Sequence, residues 1–150
     1  MRIAIASDHA AVALKADLAA WLAETGHEVN DLGPQGVDSV DYPDYGYKIA
    51  EEIAAGRADY GIALCGSGIG ISIAANRHPA CRCALVSEPL SARLAREHND
   101  CNAIAMGARL IGVEMAKECV TAFLATPFAG GRHGGRVEKL SHPHFDKEHA

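Results

Sequence analysis

The stretch that most constrains this chain is Cys65-Gly66-Ser67-Gly68-Ile69-Gly70, because of what flanks it. Before it stands Tyr60-Gly61-Ile62-Ala63-Leu64, a short apolar run that reads as a buried strand. After it, Ile71-Ser72-Ile73-Ala74-Ala75-Asn76 reads as a helix start. Strand, glycine turn and helix in that order put a thiol at the carboxyl end of a strand, the edge where open α/β sheets bind ligands. Glycines let the backbone turn sharply and aim N–H groups into the space beyond the strand. The helix start adds partial positive charge, a setting that favours thiolate over thiol.

Known glycine motifs do not fit this one. A dinucleotide fingerprint needs a small residue where Ile71 stands, and it belongs to the first strand of a chain, which this is not. A P-loop needs Gly-Lys-Ser/Thr, which is missing. Two readings stay open from spacing alone: a structural turn beside a buried cysteine, or an anion-binding active-site loop.

The same strand-then-helix unit repeats along the chain. Residues 2–6 read as strand one, 10–22 as an alanine-rich helix with Lys15 and Asp17 off its apolar stripe, and 27–32 as strand two. A loop over 33–43 is followed by a helix over 44–55, with Tyr47, Ile49, Ala50 and Ile53 inward. Strand four covers 82–86, then a helix opens with Ser87 as N-cap and Pro89 in its first turn. Strand five covers 102–106, a helix 111–124, a glycine-rich hinge 130–136, and a terminal helix or tail 137–149. The expectation is a single α/β domain over 1–150: a Rossmann-like parallel sheet of about five strands with helices on both faces, and 130–150 as a C-terminal arm or helix.

Composition narrows the partners. A net charge of −5 argues against nucleic acid. No apolar run approaches the roughly 18–20 residues of a membrane span. The chain opens directly on strand one, so no leader is read and a cytoplasmic location is expected. The five cysteines (65, 81, 83, 101 and 119) contain no Cys-x-x-Cys pair and read as free thiols, with Cys81 and Cys119 as packing residues. His142, His144 and His149 read as a solvated tail rather than a metal site.

Several chemistry-bearing residues follow or precede strands: Asp8 and His9 after strand one, Cys65, Ser67 and the glycines after strand three, His98, Asn99 and Asp100 before strand five, and Arg109 after it. Most of these are expected to converge on one edge. Arg132 and Arg136 share a face if their segment is helical, although Gly134 and Gly135 lie between them. Arginines, a histidine and a glycine loop suit a phosphate, and a thiol, an acid and histidines suit proton transfer. Asp8 serves equally well as a helix cap.

The strings Ser7-Asp8-His9, Asp41-Tyr42-Pro43, Cys65 through Asn76, Ser87-Glu88-Pro89, His98-Asn99-Asp100, Gly107-Ala108-Arg109 and Gly130-Gly131-Arg132-His133 together resemble the type B ribose-5-phosphate isomerases, a family that includes galactose-6-phosphate isomerase subunits. The resemblance implies a homodimer or tetramer with its active site at a subunit interface, a sugar phosphate as substrate, and neither organic cofactor nor metal. It implies Cys65 as the base, His98 as the group that opens the sugar ring with Asp8 nearby, and Ser67 where many members have threonine. It further implies His9, Arg109, Arg132 and Arg136 at the phosphate, and Asn99 with the backbone of Gly66, Ser67, Gly68, Ile69 and Gly70 at the rest of the substrate. Ile71 stands where one branch places a glutamate base. Other phospho-sugars, such as erythrulose 4-phosphate, allose 6-phosphate or galactose 6-phosphate, are open alternatives. So, from the residues, are a non-catalytic phosphate-binding module and a thiol hydrolase.

Overall fold

The computed structural model describes residues 1–146. Five parallel strands form one sheet: β1 (Arg2–Ser7), β2 (Glu28–Asp31), β3 (Tyr60–Cys65), β4 (Cys83–Leu85) and β5 (Ala103–Gly107), in the order β2-β1-β3-β5-β4. Six helices connect and flank them: α1 (Val12–Glu24), α2 (Tyr42–Ala54), α3 (Ile69–Ala75), α4 (Pro89–Asn99), α5 (Val113–Ala125) and α6 (Arg132–Ser141). A 3-10 turn, His9–Ala11, leads into α1. None of the described helices is long and apolar enough to cross a membrane.

The two faces of the sheet are built from residues of different size. Side chains alternate along a strand, so Ile3, Ile5, Ile62, Leu64, Ile104 and Met106 share one face and pack against α1, α4 and α5. Ala4, Ala6, Ala63, Ala103 and Ala105 share the other, with α2 and α3 against them. Small residues let those helices come close. A Cβ on Gly61 would lie 2.5 Å from Ile49, and one on Gly46 would lie 2.7 Å from Ala74.

Four expectations about single elements need correction. Lys15 does not lie off the core: it is fully buried and donates to both oxygens of Asp31, each at 2.7 Å. Burial alone would raise the Asp31 carboxyl, but bonds from Lys15 and the Gly33 N–H overcome it and hold it below the usual range. Tyr47 is exposed, because α2 turns Ile49 and Ala50 inward instead. The N-cap of α4 is Glu88, not Ser87, since its carboxylate reaches forward to the Ser91 N–H at 3.0 Å. The hinge over 130–136 shrinks to Gly130 and Gly131, both with positive φ, after which Arg132 already begins α6. His149 lies outside the described residues.

Candidate active site

At the carboxyl edge the chain leaves β3 and folds back tightly on itself. Gly68 takes φ 79°, a left-handed conformation that glycine adopts without penalty. A Cβ there would meet Leu85 at 2.7 Å and the Met106 backbone at 2.8 Å, so space and dihedral both call for glycine. This turn aims the Gly68 N–H at the Cys65 sulfur, 3.0 Å away. The helix therefore starts two residues earlier than expected, at Ile69. The Ser67 hydroxyl accepts from the Ile69 N–H at 3.2 Å, leaving its own proton to donate elsewhere.

The neighbouring strands bring further groups to this edge. The Asp8 N–H donates to the Leu64 carbonyl at 3.0 Å, and one Asp8 oxygen caps Ala10 N–H at 2.9 Å. The cap reading of Asp8 is thus observed, while its second oxygen has no bond of this kind among the described residues. His9 accepts the Val40 N–H on Nδ1 at 3.1 Å, which leaves the ring proton on Nε2. Arg109 follows β5; its N–H donates to the Gly66 carbonyl at 3.0 Å, and its guanidinium lies over Gly66, 3.2 Å from where a Cβ would stand. Tyr42 rests on Gly70, where a Cβ would be 2.5 Å from the ring. Tyr42 was not singled out from sequence as a site residue; the glycine-x pattern at 70 was the available signal.

The remaining candidates stand elsewhere. α4 departs from the carboxyl end of β4 and runs back, so its last residues reach the amino edge of the sheet. There the Asp100 carbonyl accepts from Arg82, just before β4. His98 and Asn99 are therefore not brought to Cys65 within one chain, contrary to the expected convergence. α6 lies beside them: the rings of His98 and His133 stack with centroids 4.5 Å apart and planes at 15°. Desolvation first, then the positive fields of His98, Arg132 and Arg136, push His133 below its ordinary value. Arg132 and Arg136 sit four apart on this helix, as the phosphate reading required, despite the two intervening glycines. Arg109, Arg132 and Arg136 have no carboxylate partner among the described residues, whereas Arg82 and Arg96 are both paired with Asp100. Unpaired guanidiniums are free to grip an anion.

One chain thus carries two half-sites on opposite edges of its sheet. The carboxyl edge holds the thiol, an acid, a hydroxyl and backbone donors; the amino edge holds an imidazole, an amide and two arginines.

Comparison with known proteins identifies the family. The profile of the Ribose/Galactose Isomerase family matches residues 3–140. Ribose-5-phosphate isomerase B of Escherichia coli is 45% identical over 140 residues, covering 93% of this chain and 94% of that protein. D-erythrulose-4-phosphate isomerase of Pectobacterium atrosepticum is 39% identical and covers 99% of both. The solved structure of ribose-5-phosphate isomerase B from Clostridium thermocellum superposes with a TM-score of 0.93 at 47% identity, covering 94% of this chain and 95% of that one. With its sheet order, its glycine loop and this match over nearly its whole length, the chain belongs to the Ribose/Galactose Isomerase family.

Proposed function

We propose that this protein interconverts ribose 5-phosphate and ribulose 5-phosphate, in a site that two copies of the chain complete. The observation that carries the reading is the Gly68 N–H on the Cys65 sulfur, inside a glycine loop and beside Arg109. A base held there takes the proton from the carbon next to the carbonyl and returns it to the neighbouring carbon. The enediolate formed in between carries negative charge on oxygen, which the loop N–H groups stabilise as an oxyanion hole does. Ser67 shuttles a proton between the two oxygens. His98 of a second copy opens the sugar ring by protonating the ring oxygen, with Asp8 nearby and Asn99 holding a hydroxyl. His9, Arg109, Arg132 and Arg136 hold the phosphate, and that remote binding energy aligns the reacting carbons.

Every step on this reading is a proton transfer, so neither metal nor organic cofactor is called for. The assembly is a homodimer or tetramer, and its working place is the cytoplasm, where charge confines phosphorylated sugars. The test is a rate comparison on sugar phosphates of four, five and six carbons. Ribose 5-phosphate is expected to give the highest kcat/KM. A higher value for erythrulose 4-phosphate, which the likeness to the Pectobacterium enzyme makes the leading rival, would reassign the substrate. No turnover of any of them would remove the enzyme reading.

A further inference from the structure

Asp100 directly follows His98 and Asn99, and it is the one non-glycine residue with positive φ among those described, at φ 45° and ψ 42°. It closes α4, a position where glycine is the ordinary choice because it adopts this conformation freely. An aspartate in its place gives up that ease and brings a carboxylate. Each of its oxygens has an arginine partner. Arg96 Nη1 donates to Oδ1 at 2.8 Å, and Arg82 Nη2 reaches Oδ2 at 3.4 Å. Arg82 also donates to the Asp100 carbonyl, from Nε at 3.0 Å and Nη2 at 2.9 Å.

Both arginines are anchored beyond Asp100. Arg96 is buried, donates to the Cys101 carbonyl at 2.7 Å and the Thr126 carbonyl at 3.2 Å, and lies 5.0 Å over the Tyr60 ring. Arg82 spends its remaining nitrogen, Nη1, on the Ser141 hydroxyl at 3.2 Å, in the last residue of α6. One planar guanidinium thereby ties the end of α4 to the end of α6. At the other end of α6 the His98–His133 stack joins it to α4.

We infer that Asp100, with Arg82, is a positioning residue: it locks the end of α4 against α6 so that His98 and Asn99 face the same space as Arg132 and Arg136. The clamp touches no substrate. It acts through the backbone of 98–100 and through the register of α6. Its consequence for turnover rests on the function proposed above; its effect on the alignment of the two helices does not.

The variant Arg82→Gln removes the clamp's central group, because it takes away both the bonds to the Asp100 carbonyl and the bond to Ser141. In protein carrying 13C-labelled histidine, the stacked His98 and His133 rings give ring-current-shifted signals. Arg82→Gln is expected to collapse these to the positions of the free imidazoles while the far-UV circular dichroism is unchanged. kcat on ribose 5-phosphate is expected to fall by about 10- to 100-fold, the size expected when a reacting group is misplaced by roughly an ångström. Asp100→Gly, which keeps the left-handed turn and the carbonyl that Arg82 holds but removes the carboxylate, is expected to lie between wild type and Arg82→Gln. Stacked signals that persist in Arg82→Gln overturn the proposal, whatever the rate does. So does a kcat within about twofold of wild type in a preparation that turns over the substrate. Ser141→Ala, which removes only the α6 end of the clamp, serves with the same two readouts if Arg82→Gln does not fold. Wild-type protein inactive on all sugar phosphates would sink the function instead, and the histidine signals would still decide the clamp.

Discussion

Both edges of the sheet carry cysteine, histidine and arginine, yet they treat them in opposite ways. At the carboxyl edge the backbone does the chemistry: a glycine at φ 79° turns an N–H onto the Cys65 sulfur. At the amino edge Cys81, Cys83 and Cys101 are also buried, but desolvation dominates there. It pushes Cys81 up to about 12 and Cys101 up to about 11, and Cys83 well above its ordinary value. Burial is nearly equal in the two places, with Cys65 4% exposed and Cys101 6%. What sets Cys65 apart in geometry is the backbone N–H of Gly68 on its sulfur. The arginines divide too: at the amino edge Arg82 and Arg96 are consumed by Asp100, while Arg132 and Arg136 on α6 have no carboxylate partner among the described residues.

The contrast is broken most severely by removing the thiol at the carboxyl edge. Cys65→Ala is expected to lower kcat at least about a thousandfold while phosphate binding, followed by calorimetry with inorganic phosphate, persists. Near-normal turnover would take the base role away from Cys65. Next comes Gly68→Ala, whose methyl group would collide with Leu85 and Met106 and strain the turn. It is expected to cost about 100-fold in kcat by moving the N–H off the sulfur, with the Michaelis constant much less affected. On the amino edge, Arg132→Ala should raise KM about 10-fold and leave kcat within a few fold, since the phosphate grip is remote from the reacting carbons.

The smallest effect concerns the other thiols. Because their values are raised in the fold from an ordinary 9.0, Cys81 and Cys101 favour the folded chain fully below pH 9. That contribution is lost as pH rises from about 9 towards their folded values near 12 and 11. Thermal melts between pH 8 and 11 should show the decline, and replacing Cys81 and Cys101 by Ala should flatten it. With iodoacetamide at pH 8.5, mass spectrometry should find Cys65 labelled before Cys81, Cys101 or Cys119.

The parallel sheet was legible because each strand is a short apolar run and each following segment is helical, and all five strands fall within a residue or two of the expected spans. The glycine loop was legible too, since Cys65, Gly66 and Gly68 announce a turn that cannot be anything else. What the sequence hid depends on contacts between distant residues. Lys15 looks like a solvent-facing charge until Asp31 is placed opposite it. Gly134 and Gly135 speak against a helix, and α6 forms because α4 and Arg82 receive it. Residues before β5 look close to those after β3, because spacing does not say that α4 runs the whole depth of the sheet before handing over to β5.

The central claim is that neither copy of the chain can work alone, because one supplies the thiol and the other the imidazole. Subunit mixing tests it directly. Cys65→Ala and His98→Gln are each prepared, shown to be inactive alone, then unfolded and refolded together in equal amounts. Random pairing puts one intact thiol and one intact imidazole in the same site in half of the mixed dimers' sites, so about a quarter of wild-type activity should return. No recovery, from dimers shown to have exchanged subunits, would mean that each chain builds its site by itself and would contradict the account.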